Sequence, residues 1–227
     1  MDVISLTRAL LSYNNINPPG NEEVIARFAG NILSENGFQV NYPIFFLLRL
    51  HLIAERGLSE SMPPVVLSGH FDTVPLGSNK WGVEPFAGQV SDGKIWGRGS
   101  SDMKGGLAAM ILAAIRAFEV TPPEGGIRLI FSAAEELGCI GIQQLAKILA
   151  DPGSASAVIV GEPTSNYPFI GHKGALYLNA VTTGLTAHSS MPHLGDNAIY
   201  KAARSILRAK DFNFDADKDP LLGFPTI

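Results

Sequence analysis

Five acidic or imidazole side chains, His70, Asp102, Glu135, Glu136 and Glu162, sit in four short segments of this chain. These are Gly69-His70-Phe71-Asp72-Thr73-Val74-Pro75, Gly97-Arg98-Gly99-Ser100-Ser101-Asp102-Met103-Lys104-Gly105-Gly106, Ala133-Ala134-Glu135-Glu136-Leu137-Gly138 and Gly161-Glu162-Pro163-Thr164. Each follows an apolar or β-branched run or leads into a helical one, which is where the strand ends of an open α/β sheet deliver side chains to a site. One imidazole with three carboxylates suits a divalent cation of borderline softness, zinc first, with cobalt or manganese as alternatives. One more carboxylate is left for proton chemistry. The set specifies a two-metal hydrolase centre.

His70 follows the apolar run 65–68, and Asp72 stands two residues on. At that spacing a carboxylate can take the free imidazole N–H and fix the tautomer. An isolated pair of this kind is as often a structural histidine in a turn; the other segments shift the balance. Asp102 lies between a Gly/Ser loop and a helical run, so it reads as a helix N-cap, and a carboxylate there is also placed to bridge two cations. Glu135 and Glu136 end the run 127–132, and adjacent residues of an extended chain point to opposite sides. One can then ligate metal while the other faces bound water. Glu162 is another carboxylate at a strand end. His188 lies outside this region, as a surface residue or a catalytic donor, while His51, His172 and His193 have no partner pattern and read as structural. Cys139 reads as a small buried residue, and no histidine is placed as the base for a cysteine nucleophile.

Positioning these groups takes alternating strands and helices. Apolar residues at Val3, Leu6, Leu10 and Leu11 have helical spacing over 2–12, Pro18, Pro19 and Gly20 break the chain, and a second amphipathic helix spans 22–35. Strands are expected at 38–42, 48–55, 65–68, 127–132 and 157–160, and helices at 103–118 and 140–150. That alternation implies an α/β fold, a mostly parallel sheet with helices on both faces. Composition changes near Lys173: 175–183 alternates like a half-exposed strand, 196–209 is helical, and 224–227 reads as a strand beginning as the chain stops. The expected domains are 1–174, carrying the catalytic residues, and 175–227, part of a small α+β domain.

The chain has 227 residues, 46% of them hydrophobic, enough for one full core and a second small domain. A net charge of -4 with no Lys/Arg-rich run argues against nucleic acid as a partner. With Cys139 the only cysteine, no internal disulfide forms, which fits a reducing compartment. The N-terminus lacks the basic region of a secretion signal. The longest apolar stretches, 44–48 and 107–115, fall short of the ~20 residues of a membrane span. A cytoplasmic protein without a membrane partner is expected.

With these motifs, the chain resembles the metal-dependent hydrolases that include acetylornithine deacetylase, succinyl-diaminopimelate desuccinylase, aminoacylase and the carboxypeptidase G type enzymes. The resemblance runs from Asn17-Pro18-Pro19-Gly20-Asn21-Glu22 to Phe224-Pro225-Thr226-Ile227. It implies a phosphorylase/hydrolase-like metallopeptidase catalytic domain with a lid or dimerisation domain, two divalent metals (zinc or cobalt), and a homodimer where the lid is complete. It makes His70 and Glu162 ligands of one metal, Asp102 the bridge across a cis Asp102–Met103 bond, Glu135 the general base and Glu136 a ligand. Asp72 accompanies His70, and His188 reaches the site of a partner subunit as oxyanion donor. His172-Lys173-Gly174 and Ala187-His188-Ser189-Ser190 look closest to acetylornithine deacetylase, so the implied substrate is a small N-acyl amino acid. The family's last metal-binding histidine has no counterpart, so the chain reads as shortened, with at most one metal held tightly.

Overall fold

The computed structural model describes residues 1–149 and 153–227, and the chain divides into two compact units, Met1–Asn166 and Tyr167–Ile227. In the first, α1 (Val3–Leu11) is capped by Asp2, whose Oδ1 accepts the Ser5 N–H at 2.8 Å, and α2 (Glu23–Glu35) follows the two prolines. Then come β1 (Gln39–Asn41), β2 (Ile44–Phe46), β3 (Arg49–Leu50), β4 (Leu52–Arg56), β5 (Val65–His70), β6 (Gln89–Ser91) and β7 (Lys94–Trp96). After these come α3 (Gly105–Val120), β8 (Ile127–Ser132), α4 (Ile140–Ile148) and β9 (Ala157–Val160). The expected helix 140–150 thus ends at Ile148, and Ala150 lies outside the described residues.

The central sheet runs β1-β4-β8-β5-β9. β8 pairs parallel with β5 and β5 with β9, while β4 is antiparallel to both β1 and β8. β4 alone therefore runs against the other four, and the sheet is mostly parallel as expected. The inward residues Leu52, Ala54, Leu67, Leu129 and Phe131 meet Leu6 and Leu10 of α1, Ile25, Ala29 and Leu33 of α2, and Leu107 and Ile111 of α3 in one core. Each fully buried Leu or Ile of this kind contributes roughly 1.5–3 kcal/mol. On the other side, the α4 end (Ile148, Leu149) borders a cleft of about 480 Å³ lined by Ile53, Glu55, Arg128 and Ile130. β9 is the sheet edge, with Val158, Ile159 and Val160 exposed.

Several expectations are corrected. The strand expected over 48–55 is two strands broken at His51, and the apolar stretch before it forms the hairpin β2–β3, with Leu48 in the turn at φ 60°. β6 and β7 form a second hairpin around Asp92 (φ 53°) and Gly93 (φ 70°), a turn that needs left-handed backbone at both central residues. The helix after Asp102 begins at Gly105, and Lys104 occupies its cap position without a side-chain cap bond. Asp102 (φ -119°, ψ 95°) and Met103 (φ -135°, ψ 30°) instead form a kink ahead of it, joined by the expected cis bond.

The second unit holds α5 (Ala198–Lys210), capped by Asn197, whose Oδ1 accepts the N–H groups of Ile199 and Tyr200. A 3₁₀ turn at Pro192–Leu194 precedes it. The strands expected at 175–183 and 224–227 do not form: the described pairing here is two isolated bridges, Leu185 with Asp196 and Asp219 with Gly223. Alternating sequence makes a strand only where a neighbour completes its ladder.

Candidate metal centre

His70 ends β5, buried to 1% exposure. Its Nδ1 donates to the backbone carbonyl of Asp72 at 2.9 Å, while the nearest Asp72 carboxylate oxygen lies 3.6 Å away. The tautomer is thus fixed by main chain, a correction to the carboxylate expected in that role. The fully buried Asp72 carboxylate faces the chain after β8: Oδ1 accepts the Glu135 N–H at 3.1 Å, and Oδ2 accepts the Glu136 N–H at 3.2 Å and Asn17 Nδ2 at 2.7 Å.

The other ring nitrogen of His70 faces a carboxylate cluster. Nε2 lies 3.1 Å from Asp102 Oδ1, 3.6 Å from Glu162 Oε1 and 3.9 Å from Glu135 Oε2. Asp102 is delivered by the kink before α3, Glu162 by the chain just after β9, and Glu135 by the chain just after β8. Two sets of donor atoms each lie within 4.8 Å of one another: His70, Asp102 and Glu162, and His70, Glu135 and Glu136. The first trio is the one expected to share a metal. Glu136 groups with His70 and Glu135, not with Asp102 as expected for a second site. His188 lies in the second unit, exposed, its Nδ1 2.8 Å from Ser190 Oγ.

The electrostatics follow from crowding negative groups around one ring. Burial works against a charged imidazole, yet the hydrogen bond to Asp102, the nearby Asp72 carboxylate and the charge of Glu162 outweigh it and push His70 up to about 11. The His70 hydrogen bond holds Asp102 low against its partial burial. Burial, then the charge of Asp102, pushes Glu136 up to about 7, and burial raises Glu162. Among the described residues, the ion pairs of Asp102, Glu135 and Glu162 are with His70 alone, whose proton a divalent cation would displace. One imidazole nitrogen with converging carboxylate oxygens fits such a cation.

Neighbouring groups fix the setting. The buried Lys104 donates Nζ to the Tyr13 carbonyl at 2.6 Å and to Asn15 Oδ1 at 3.2 Å, tying the Asp102 kink to the turn after α1. Cys139 is exposed, not buried as expected, and its thiol donates to Glu135 Oε1 at 3.2 Å. Partial desolvation of the sulfur, with the hydrogen bond and charge of Glu135, pushes that thiol up to about 11, so it is not a thiolate nucleophile at neutral pH. Sequence reasoning missed Asn17, Glu22 and Arg49, which are buried beside the chain after β8, as is His51, read as structural. Glu22 reads in sequence as an ordinary charge at a helix start, and nothing in its spacing distinguishes it.

The model of peptidase family M20/M25/M40 matches residues 66–220. A protein of Staphylococcus epidermidis, strain RP62A, named probable succinyl-diaminopimelate desuccinylase, is 42% identical over 156 residues, which cover 66% of this chain and 37% of that protein. A tripeptidase of Staphylococcus aureus shares the fold with a TM-score of 0.62 at 22% identity, over 92% of this chain and 56% of that one. A dinuclear metal-binding M20 peptidase of Bacillus subtilis matches with a TM-score of 0.51 at 21% identity, over 70% of this chain and 41% of that one. The chain spans less than half the length of the curated relatives it matches. Among the described residues, no helix is long and apolar enough to cross a membrane.

Proposed function

Since the chain belongs to peptidase family M20/M25/M40, we propose that it is built to hydrolyse the amide of a small N-acylated amino acid, releasing a carboxylate and an amine. The observation that carries this reading is the convergence of Asp102, Glu135 and Glu162 on the Nε2 face of one buried imidazole. His70, Asp102 and Glu162 would hold one divalent cation, and Glu136 is the ligand assigned to a second. Zinc or cobalt suits these donors, and such a cation supplies Lewis acidity and an acidified water. Glu135 takes the water proton and delivers it to the leaving amine, a role that contributes about 10²–10⁴ in rate. Asp72 holds the backbone of both glutamates. His188, from a second copy of the chain, is the proposed donor to the oxyanion.

The acyl group is the finer question. The residues around His172 and His188 suggest an acetylornithine deacetylase, whereas the curated relatives are named probable desuccinylases. The names favour a succinyl over an acetyl group. One imidazole serves both donor sets, so this chain is assigned one tightly held cation. The test is hydrolysis of N-succinyl-diaminopimelate, N-acetylornithine and dipeptides by the 227-residue chain after dialysis against zinc or cobalt, with retained metal counted by elemental analysis. Turnover of one substrate, absent from Glu135→Gln and accompanied by about one metal per chain, is expected. Turnover no higher than that of Glu135→Gln on every substrate refutes the reading.

A further inference from the structure

Four consecutive backbone N–H groups after β8 are each received by a buried side chain. Ala133 donates to His51 Nδ1 at 3.2 Å, Ala134 to Glu22 Oε1 at 3.3 Å, and Glu135 and Glu136 to the two carboxylate oxygens of Asp72. Asp72 belongs to the metal centre already described. Glu22 and His51 lie a layer further in, and nothing in the proposed chemistry uses them.

Their surroundings argue against a purely stabilising role. Glu22 is fully buried and bound bidentately by Arg49, with Nε to Oε2 at 2.8 Å and the second guanidinium nitrogen to Oε1 at 2.6 Å. A buried ion pair of this kind is commonly no more stable than apolar residues of the same volume. Its added feature here is the bond to Ala134, a non-glycine residue in the left-handed region at φ 58°. His51 is also fully buried. Its Nδ1 accepts from Ala133, so the proton sits on Nε2, and Nε2 has no partner among the described residues. The ring therefore bears a bare polar tip while its other nitrogen holds the Ala133 amide. Gly141, opening α4, lets this layer close: a Cβ there would collide with the Ala133 carbonyl and meet His51 Cε1 at 3.3 Å.

We propose that the Glu22–Arg49 pair and His51 are positioning residues, whose task is to hold the 133–136 backbone so that Glu135 and Glu136 stand at the metal centre. The inference rests on the reading above that these two glutamates serve the cation and the water. The three groups come from the entrance to α2, from β3 and from the break before β4, so the geometry of the glutamates is set by contacts remote in sequence.

The test uses the full chain in four forms: wild type, Glu22→Leu/Arg49→Met, His51→Leu and His51→Asn. The double variant removes both charges together and so leaves no unpaired ion. Asparagine can present its amide oxygen where His51 Nδ1 stands. Three readouts separate positioning from stability: thermal midpoint, amide hydrogen exchange at 133–136 in metal-free protein, and the affinity for cobalt(II) alone from its visible absorption. The double variant and His51→Leu each leave one buried amide without its acceptor, so they are expected to fold with midpoints lowered by several degrees, to exchange faster at 133–136, and to bind cobalt roughly 10- to 100-fold more weakly, the usual loss when an outer layer around ligands is removed. His51→Asn restores both readouts. Exchange and cobalt affinity equal to wild type in the folded variants overturn the proposal, as does a His51→Asn no better than His51→Leu. If the double variant does not fold, the two His51 variants decide alone. Turnover enters none of these readouts, so an inactive wild type refutes the proposed hydrolysis without touching this result, and exchange still decides if no form binds cobalt.

Discussion

Replacing Asp72 by asparagine is the sharpest perturbation of the site that leaves its shape intact. The carboxylate receives three N–H donors, from Asn17, Glu135 and Glu136, at 2.7–3.2 Å, with no exposure to water. An asparagine oxygen in place of Oδ2 keeps Asn17 and Glu136 as neutral bonds, each worth about 1 kcal/mol less than its charge-assisted counterpart. The NH₂ then stands where Oδ1 was, against the Glu135 N–H, leaving a buried donor unsatisfied at a cost of roughly 1–3 kcal/mol. The sum is about 4 kcal/mol, or a midpoint about 8–16 °C lower at 2–4 °C per kcal/mol. Thermal unfolding followed by circular dichroism, with and without cobalt, reads this directly. The sign with pH is also fixed. Burial works to raise the Asp72 pKa, but His70, Asn17 and Glu135 outweigh it and hold the group below its ordinary range. Stability from a depressed carboxylate is present above its unfolded pKa of about 4 and is lost as pH falls below it. The gap between wild type and Asp72→Asn should therefore be widest near neutrality and narrow in acid. A loss under about 1 kcal/mol with unchanged cobalt affinity would refute the assignment of this carboxylate as the anchor of the Glu135–Glu136 turn.

Two further outcomes are expected. Glu135→Gln should lose turnover by about 10²–10⁴ with metal content unchanged, and Glu136→Ala should lose metal; the opposite pattern in elemental analysis reverses the two roles. Burial, helped by Arg49, lowers His51 to about 4, so the unfolded chain takes up a proton that the folded chain refuses. That stability is present above pH ~6.5 and lost as pH falls toward 4, by about 3 kcal/mol at most. Glu136, pushed up to about 7, gives the opposite slope over much of that range, so the comparison with His51→Asn isolates the histidine. Urea midpoints that keep the wild-type pH dependence in His51→Asn would contradict this.

Much of the first unit was legible because periodicity and burial agree there. β8 and β9 fall on their expected residues, and α1, α2 and α3 shift by a residue or two, since apolar spacing marks the buried face but not the terminal turn. The grouping of His70 with Asp102 and Glu162 was legible because each of these residues sits at a strand end or just ahead of a helix. What was missed depends on tertiary context. Glu22 and Arg49 look like surface charges until the fold closes over both, and His51 is indistinguishable in sequence from a structural histidine. The β6–β7 hairpin carried a readable signal in Asp92-Gly93, the dipeptide of a tight two-residue turn, flanked by strands too short to stand out. The strands expected at 175–183 and 224–227 failed for the converse reason: alternation was present, but a ladder partner was not.

The four amides after β8 reach their acceptors across 82, 112, 63 and 64 residues of chain. None of these bonds can form within a local segment, because each closes a long loop and needs both of its ends. In a chain made from its N-terminus, Glu22, His51 and Asp72 emerge first, the glutamate turn much later, and Glu162 after that. The His70, Asp102, Glu135, Glu136 and Glu162 cluster is therefore assembled by topology and not by any stretch of nascent polypeptide. A growing chain holds these carboxylates apart, so the cluster proposed to take a cation comes together only when the strand order through β9 is complete.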